Sequence, residues 1–168
     1  MAVEIIRALA SGGMSVGALK FEPDPLYAAV SDDPSVINSR GKDTSLMKEA
    51  GATEVLLVRA PREEMRETLD MAMDRLSAHD CVVVEGNSAI EVLRPCIVLF
   101  ITGVHDAGPQ LKESARSVLS LAHVLIHGRS VPPDTPEGVK KFRGGEPGVY
   151  TAHVLSLINA GQGSKDDR

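Results

Sequence analysis

The sequence predicts an α/β fold with a doubly wound, mainly parallel sheet. Two observations support this prediction: short strands that are apolar on both faces, and helices with one apolar face that alternate with them. Such an alternation is typical of a parallel sheet covered by helices on both sides, joined by right-handed crossovers. The chain has 168 residues, 43% of them hydrophobic, which is enough for one ordinary domain with a buried core.

The chain begins with a predicted helix at Ala2–Ala10. Ile5, Ile6 and Leu9 recur there at helical spacing on one face. The glycines of the segment 11–13 are predicted to end the helix, because glycine readily takes the left-handed conformation that follows a helix.

The next predicted element is an apolar strand at Val16–Phe21. It is followed by a long loop at Glu22–Arg40. The loop is rich in Pro, Asp and Ser, and loops of this length in small domains are usually functional or mobile. The segment GKDT at 41–44 then opens a short helix. Asp43 is its predicted N-cap and Gly51 its predicted end.

A second apolar strand, Thr53–Arg59, leads into the next predicted helix. That helix is expected to begin at Pro61, because proline suits the first helical position. Its apolar face is formed by Met65, Leu69, Met73 and Leu76. The apolar run at Asp80–Gly86 is the following strand and has an acidic residue near each end.

The second half of the chain continues the same alternation. Its predicted elements are, in order, a strand at Cys96–Thr102, a helix at Gln110–Leu121, a strand at Ala122–Ile126, a loop at Val131–Gly148 and a helix at Tyr150–Ala160. Gly161 is predicted to stop the last helix. Neither a repeat nor a second domain is evident, so we expect one domain over residues 1–161 and a polar tail over 162–168.

Composition excludes several classes of function. The net charge of −5 argues against binding to duplex nucleic acid, which needs a basic stripe. Aromatic residues make up only 3% and Trp is absent, which argues against a platform for single strands. The five histidines have no metal-binding spacing, and Cys81 and Cys96 are expected to be buried, reduced thiols.

Membrane insertion and secretion are not expected either. No apolar stretch approaches the roughly 20 residues that span a bilayer. The first nine residues contain Glu4 and Arg7, which a signal peptide would not place within its apolar run. We therefore expect a soluble, cytoplasmic protein.

The candidate site follows from strand direction. In a parallel sheet, ligands bind at the carboxyl ends of the strands. Asp80 begins its strand and Glu85 ends it, so the two lie about 16 Å apart and cannot share a metal ion. Glu85, followed by Gly86, is suited to orient a water or a hydrated Mg²⁺. The alternative is that Glu85 only caps the turn at 87–88.

Three further charged residues are candidates. Lys20 ends a strand and could contact a phosphate as a point charge, or could simply be solvated. Lys42 and Asp43 lie at a helix start, where backbone N–H groups favour anions. For Asp43, the alternative is a role as N-cap alone.

The order of these segments resembles the family of the molybdopterin-guanine dinucleotide biosynthesis protein B, which are P-loop GTP-binding proteins. The resemblance covers about the first half of the chain, 1–86. It rests on four segments that match the family's patterns: Ala18-Leu19-Lys20, Gly41-Lys42-Asp43-Thr44, Glu49-Ala50-Gly51-Ala52 and Val84-Glu85-Gly86. Each segment alone is weak, and together they are fairly specific.

The resemblance implies a P-loop NTPase-like fold and a site for GTP or ATP with Mg²⁺. Glu85 would be the catalytic residue, and Glu85 and Asp43 would hold the metal. The nucleotide would be bound by Lys20, Lys42, Asp43, Gly86 and Asn87. The family further implies weak GTPase activity in molybdenum cofactor biosynthesis, a homodimer, and a molybdopterin guanylyltransferase-type partner.

Two departures from the family pattern matter. The family's His-containing segment is replaced by Phe21–Pro25, and the second half does not follow the family closely. The family's first strand and its GxxxxGK[ST] loop are missing from these 168 residues. We expect either that the strand and loop precede Met1, or that the chain is a degenerate adaptor that acts through a protein partner. In both cases the chain as given is expected to bind nucleotide weakly, to be inactive, and to expose a sheet edge.

Overall fold

The structure is a computed structural model that describes residues 1–103, 111 and 113–163. The chain divides into two units, Met1–Leu93 and Arg94–Arg168, and each unit contains its own sheet. The expectation of one domain over residues 1–161 stays a prediction.

The first unit is built on a four-stranded sheet. Its strands are β1 (Val16–Pro23), β2 (Ala29–Ser31), β3 (Glu54–Ala60) and β4 (Cys81–Glu85), in the spatial order β2-β3-β1-β4. β1 lies between β3 and β4 and runs parallel to both, whereas β2 pairs antiparallel with β3. The sheet is therefore mainly parallel, and the carboxyl ends of β1, β3 and β4 meet at one edge.

Helices pack against this sheet from both sides. They are α1 (Ala2–Ser11), α2 (Pro34–Ile37), α3 (Asp43–Glu49), α4 (Met65–Leu76) and α5 (Asn87–Leu93). Alternate residues of a strand point to opposite faces. Leu19 and Phe21 point into a core with α4 and α5, whereas Ala18 and Lys20 point to the face that α1 and α3 cover.

The core on the α4 and α5 side is apolar throughout. Its buried members are Leu19, Phe21, Leu56, Val58, Ala60, Leu69, Ala72, Leu76 and Ala89. Burying such side chains is the dominant favourable contribution to folding, about 1.5–3 kcal/mol for each large one. On the opposite face, α1 buries Ile5, Ile6 and Leu9 as its periodicity predicted.

Two predictions for the first unit are wrong in part, and one helix was missed. The predicted loop at 22–40 contains β2 and α2, because a three-residue strand is too short to show a period and Asp33 caps a single helical turn at Pro34. The helix expected at Pro61 begins at Met65, since residues 61–64 form a hydrogen-bonded turn instead. The helix α5 was not predicted.

The second unit is built on a three-stranded sheet that is entirely parallel. Its strands are β5 (Leu99–Ile101), β6 (Val124–His127) and β7 (Lys140–Arg143), in the order β5-β6-β7. Its helices are α6 (Glu113–Ser120) and α7 (Pro147–Gly163). β6 is the central strand, and Val124, Leu125 and Ile126 are buried in it.

The second unit also departs from the sequence predictions. β7 lies inside the stretch 131–148, which was predicted to be a loop, because the residues KKFR lack an apolar run. α7 begins at Pro147 and continues through Gly161, the residue expected to stop it. The start of the helix predicted at Gln110, and most of the polar tail predicted at 162–168, lie outside the described residues.

The α/β class predicted from the sequence is confirmed, and the layering of the first unit is compatible with a doubly wound fold. Within the residues that the structure describes, no helix combines the length and apolarity needed to cross a bilayer.

Leu19→Ala is expected to lower the free energy of unfolding by about 2–5 kcal/mol, because the residue is fully buried at the centre of the core. The matched control is Leu26→Ala, whose side chain is 84% exposed and whose effect should stay below about 0.5 kcal/mol. Urea unfolding of both variants measures the difference. Equal effects would contradict the placement of Leu19.

Candidate functional site

The carboxyl edge of the first sheet brings three predicted residues together. β1 and β4 run parallel with Lys20 opposite Glu85 in register. The Lys20 ammonium donates hydrogen bonds to Asp43 Oδ2 at 2.6 Å and to Glu85 Oε1 at 3.0 Å. We call these three residues the edge cluster. The prediction that Lys20 and Glu85 share one edge is confirmed, whereas their functional roles stay predictions.

The N-cap role predicted for Asp43 is wrong. The N-cap of α3 is Lys42, which makes no side-chain capping bond, and Asp43 is the first helical residue. Its carboxylate is held by Lys20 instead. A turn at Gly41, whose φ is +77°, leads the chain into α3. The start of α3 therefore supplies the second carboxylate of the edge cluster.

Asp80 lies at the opposite edge of the sheet, as predicted. Its carboxylate accepts a hydrogen bond from the backbone N–H of Ser15 at 2.8 Å, and its own N–H donates to Ser15 Oγ at 3.0 Å. This reciprocal pair joins the start of β1 to the start of β4. Asp80 is a structural residue and takes no part in the edge cluster.

Gly86 and Asn87 connect β4 to α5. Gly86 has a φ of +148°, and a Cβ placed on it would lie 2.9 Å from Phe21 Cβ and 3.0 Å from the Phe21 carbonyl oxygen. Only glycine lets the chain pass so close to β1 at this point. Asn87 is exposed and is the first residue of α5, so residues 87–88, predicted as a turn that Glu85 caps, are the start of a helix.

The environment of Lys20 keeps its side chain protonated. Partial burial lowers the pKa of Lys20, but the hydrogen bonds and charges of Asp43 and Glu85 outweigh it and raise the pKa above the ordinary value of 10.5. The Lys20 side chain is only 18% exposed. One ammonium between two carboxylates leaves the edge cluster with a formal charge of −1.

The two carboxylates of the edge cluster suit Mg²⁺, which proteins commonly bind through one or two carboxylates together with water and phosphate oxygens. Among the residues that the structure describes, no group of three His, Cys, Asp or Glu side chains could hold a metal ion alone. A magnesium ion here would therefore take its remaining oxygen ligands from water or from a bound ligand.

Sequence reasoning missed a second ion pair at the same edge. Arg59 of β3 donates from Nη2 and Nε to Glu22 Oε2 of β1, at 3.0 and 3.1 Å, and from Nη1 to the hydroxyl of Tyr27 at 3.3 Å. Glu22 and Arg59 are opposite each other in the parallel register. The sequence does contain a signal for this ion pair, because two residues of opposite charge each stand at the end of an apolar strand.

A cavity of about 450 Å³ lies between this ion pair and the edge cluster. Its walls are the ends of β1 and β3, the helix α2, and the segment that leads into α3. Because α2 lies within the stretch predicted to be a loop, the sequence did not predict this cavity.

Two of the histidines make local contacts, whereas the buried Nδ1 of His127 has no hydrogen-bond partner among the described residues. His79 Nε2 lies 3.5 Å from Glu54 Oε2, and His123 Nδ1 accepts a hydrogen bond from the Val98 N–H at 3.1 Å. The expectation of two buried thiols is wrong, because Cys96 is exposed and Cys81 is only half-buried. Neither cysteine forms a disulfide.

No family model, curated protein or solved structure matches this chain. The resemblance to the molybdopterin-guanine dinucleotide biosynthesis protein B family therefore stays a prediction.

Gly86→Ala is expected to destabilise the protein by about 2–4 kcal/mol, since it adds a clash with Phe21 to backbone strain. Gly13→Ala is the matched control. Gly13 also has a positive φ, of +86°, but a Cβ there has open space, so we expect a loss of about 1 kcal/mol. Thermal melts of the two variants compare them. A Gly86→Ala protein as stable as Gly13→Ala would contradict the close approach.

The stabilisation from Lys20 is expected to disappear at alkaline pH. The folded-state pKa of Lys20 is raised, so its contribution is fully present below the unfolded value near 10.5 and is lost as pH rises through the folded value. The difference in unfolding free energy between the wild type and Lys20→Gln should be constant from about pH 7 to 9.5 and shrink above about 10.5. Urea titrations over this range measure it. A difference that does not change up to pH 11.5 would contradict the ion pairing.

Proposed function

We propose that this protein binds a nucleoside triphosphate with Mg²⁺ at the edge cluster, and that GTP is its physiological nucleotide. The observation that carries the proposal is the Lys20 ammonium between the carboxylates of Asp43 and Glu85, at the carboxyl edge of a mainly parallel sheet. This edge is where sheets of this class bind ligands. The choice of GTP over ATP is supported by the family resemblance alone.

Each residue has a separate role in this proposal. Lys20 is the point charge that contacts a phosphate. Asp43 and Glu85 hold the hydrated magnesium ion, which neutralises phosphate charge when bound. Glu85 also orients the water that attacks the phosphate in a slow hydrolysis. Gly86 and Asn87, with Lys42 on the other side, are the remaining nucleotide contacts.

The four segments that carry the family resemblance support a related function. Three of them contribute to the edge cluster: 18–20 ends in Lys20, 41–44 contains Asp43, and 84–86 contains Glu85. Their convergence favours a shared ligand over three unrelated similarities. We extend the proposal to a role in molybdenum cofactor maturation in the cytoplasm, as a homodimer that acts with a guanylyltransferase-type enzyme.

A second candidate function is an adaptor that binds no nucleotide. The observation that favours it is that Lys20 is already neutralised by two carboxylates of the same chain. The 168 residues also lack a GxxxxGK[ST] loop, which supplies most phosphate contacts in P-loop proteins. In this case the edge cluster only joins α3 to the sheet.

Isothermal titration calorimetry with GTP and ATP, with and without Mg²⁺, separates the two functions. We expect weak, Mg²⁺-dependent binding of GTP, because the residues of the chain supply few phosphate contacts. Lys20→Gln and Glu85→Gln should each weaken it about tenfold, or about 1.4 kcal/mol.

The control for this titration is Glu91→Gln, which removes one acid from the exposed side of α5. It should bind GTP as the wild type does. If the wild type binds no nucleotide at millimolar concentration, or if the Glu85 and Glu91 variants bind equally, the nucleotide proposal fails and the adaptor is favoured.

A further inference from the structure

The edge cluster contains its own cation, and this cation reaches the carboxylates from the sheet. Lys20 belongs to β1, which lies between β3 and β4, and its side chain is largely enclosed. The side chains of Asp43 and Glu85 come from α3 and β4 and are 52% and 40% exposed. A cation from solvent can therefore approach the same two carboxylates that Lys20 contacts from within the fold.

Lys20 contacts both carboxylates at the same time. Its Nζ lies 2.6 Å from Asp43 Oδ2 and 3.0 Å from Glu85 Oε1, so the two oxygens face one common point. A magnesium ion held by both oxygens would need that point, because it takes its ligands at about 2.0–2.1 Å. An ammonium and a magnesium ion cannot occupy it together, and two cations side by side would repel each other.

The backbone holds the carboxylates in place, whereas the ammonium can move. Parallel pairing keeps Glu85 opposite Lys20, and Asp43 is fixed as the first residue of α3. The ammonium is carried on a flexible four-carbon stem, so it can turn away while both carboxylates stay where they are. The edge cluster would then change from a formal charge of −1 to the −2 of its two carboxylates, which attracts a divalent cation more strongly.

We propose that Lys20 regulates the metal site by competing with Mg²⁺ for Asp43 and Glu85, and that a nucleotide phosphate ends this competition by taking the ammonium. This inference rests on the proposed function and adds an order of binding to it. Mg²⁺ alone binds weakly, and nucleotide and Mg²⁺ bind cooperatively. The coupling is reciprocal, so Mg²⁺ strengthens nucleotide binding by the same factor.

Titration of the full chain with Mn²⁺, without nucleotide and followed by electron paramagnetic resonance, measures the competition. Lys20→Met removes the charge and keeps the apolar stem, so it should bind Mn²⁺ about tenfold more tightly than the wild type. Lys20→Arg keeps the charge and should stay within about twofold of the wild type. Lys48→Met is the matched control, because the ammonium of Lys48 donates to the Thr53 carbonyl oxygen and not to the edge cluster. It should not change Mn²⁺ binding.

A double variant places the metal ion at the edge cluster. Glu85→Gln in the Lys20→Met background should abolish the gain in Mn²⁺ affinity, because one of the two carboxylates is then lost. The proposal is overturned by equal Mn²⁺ affinity of the wild type and Lys20→Met, or by a gain that survives Glu85→Gln. Absence of Mn²⁺ binding to Lys20→Met at about 10 mM would also overturn it. If circular dichroism shows that Lys20→Met does not fold, Lys20→Gln gives the same comparison with a polar neutral side chain.

Titration of the same variants with GTP separates this inference from the proposed function. Lys20→Met should bind GTP about tenfold more weakly while it binds Mn²⁺ more tightly. A purely structural role of Lys20 would weaken the binding of both ligands, and that result would overturn the competition. A gain in Mn²⁺ affinity in a chain that binds no GTP would refute the proposed function and leave the competition for the metal ion standing. GTP binding by the wild type without a gain in Mn²⁺ affinity in Lys20→Met would do the reverse.

Discussion

The parallel pairing of β1 with both β3 and β4 is the constraint on which the rest of the first unit depends. Because the three strands run in one direction, their carboxyl ends meet at one edge, and the register places Lys20 opposite Glu85 and Glu22 opposite Arg59. The middles of β1 and β3 are buried, so the charged ends reach the surface. The same register that builds the core therefore assembles both ion pairs.

Lys20 divides this edge into two parts with different chemistry. On the β4 side, Glu85 and Gly86 offer a carboxylate and a close backbone turn, which suit a metal ion and phosphate. On the β3 side lies a cavity of about 450 Å³ that is lined by Lys20, Asp43 and the Glu22–Arg59 ion pair. Lys20 and Asp43 adjoin both parts, so a ligand on one side would change the electrostatics of the other.

The candidate site could be predicted residue by residue, but its interactions could not. Strand polarity alone placed Lys20 and Glu85 at the ligand-binding edge and Asp80 at the opposite one. It left Asp43 with two roles, and the N-cap was the wrong one, because the capping rule considers only local backbone groups. A partner 23 residues away, Lys20, decides where that carboxylate points.

The sequence by itself determined the α/β class, the apolar strands, the helix α1 and the polarity that separates Glu85 from Asp80. These features depend on the spacing of apolar and charged residues within one short segment, so the sequence of that segment is enough to predict them. Tertiary structure decided the rest: β2 and β7 are strands only because a neighbouring strand pairs with them. The cavity beside Lys42 likewise needs α2 to lie over the ends of β1 and β3. Pairing and enclosure depend on residues distant in the chain, so no local pattern encodes them.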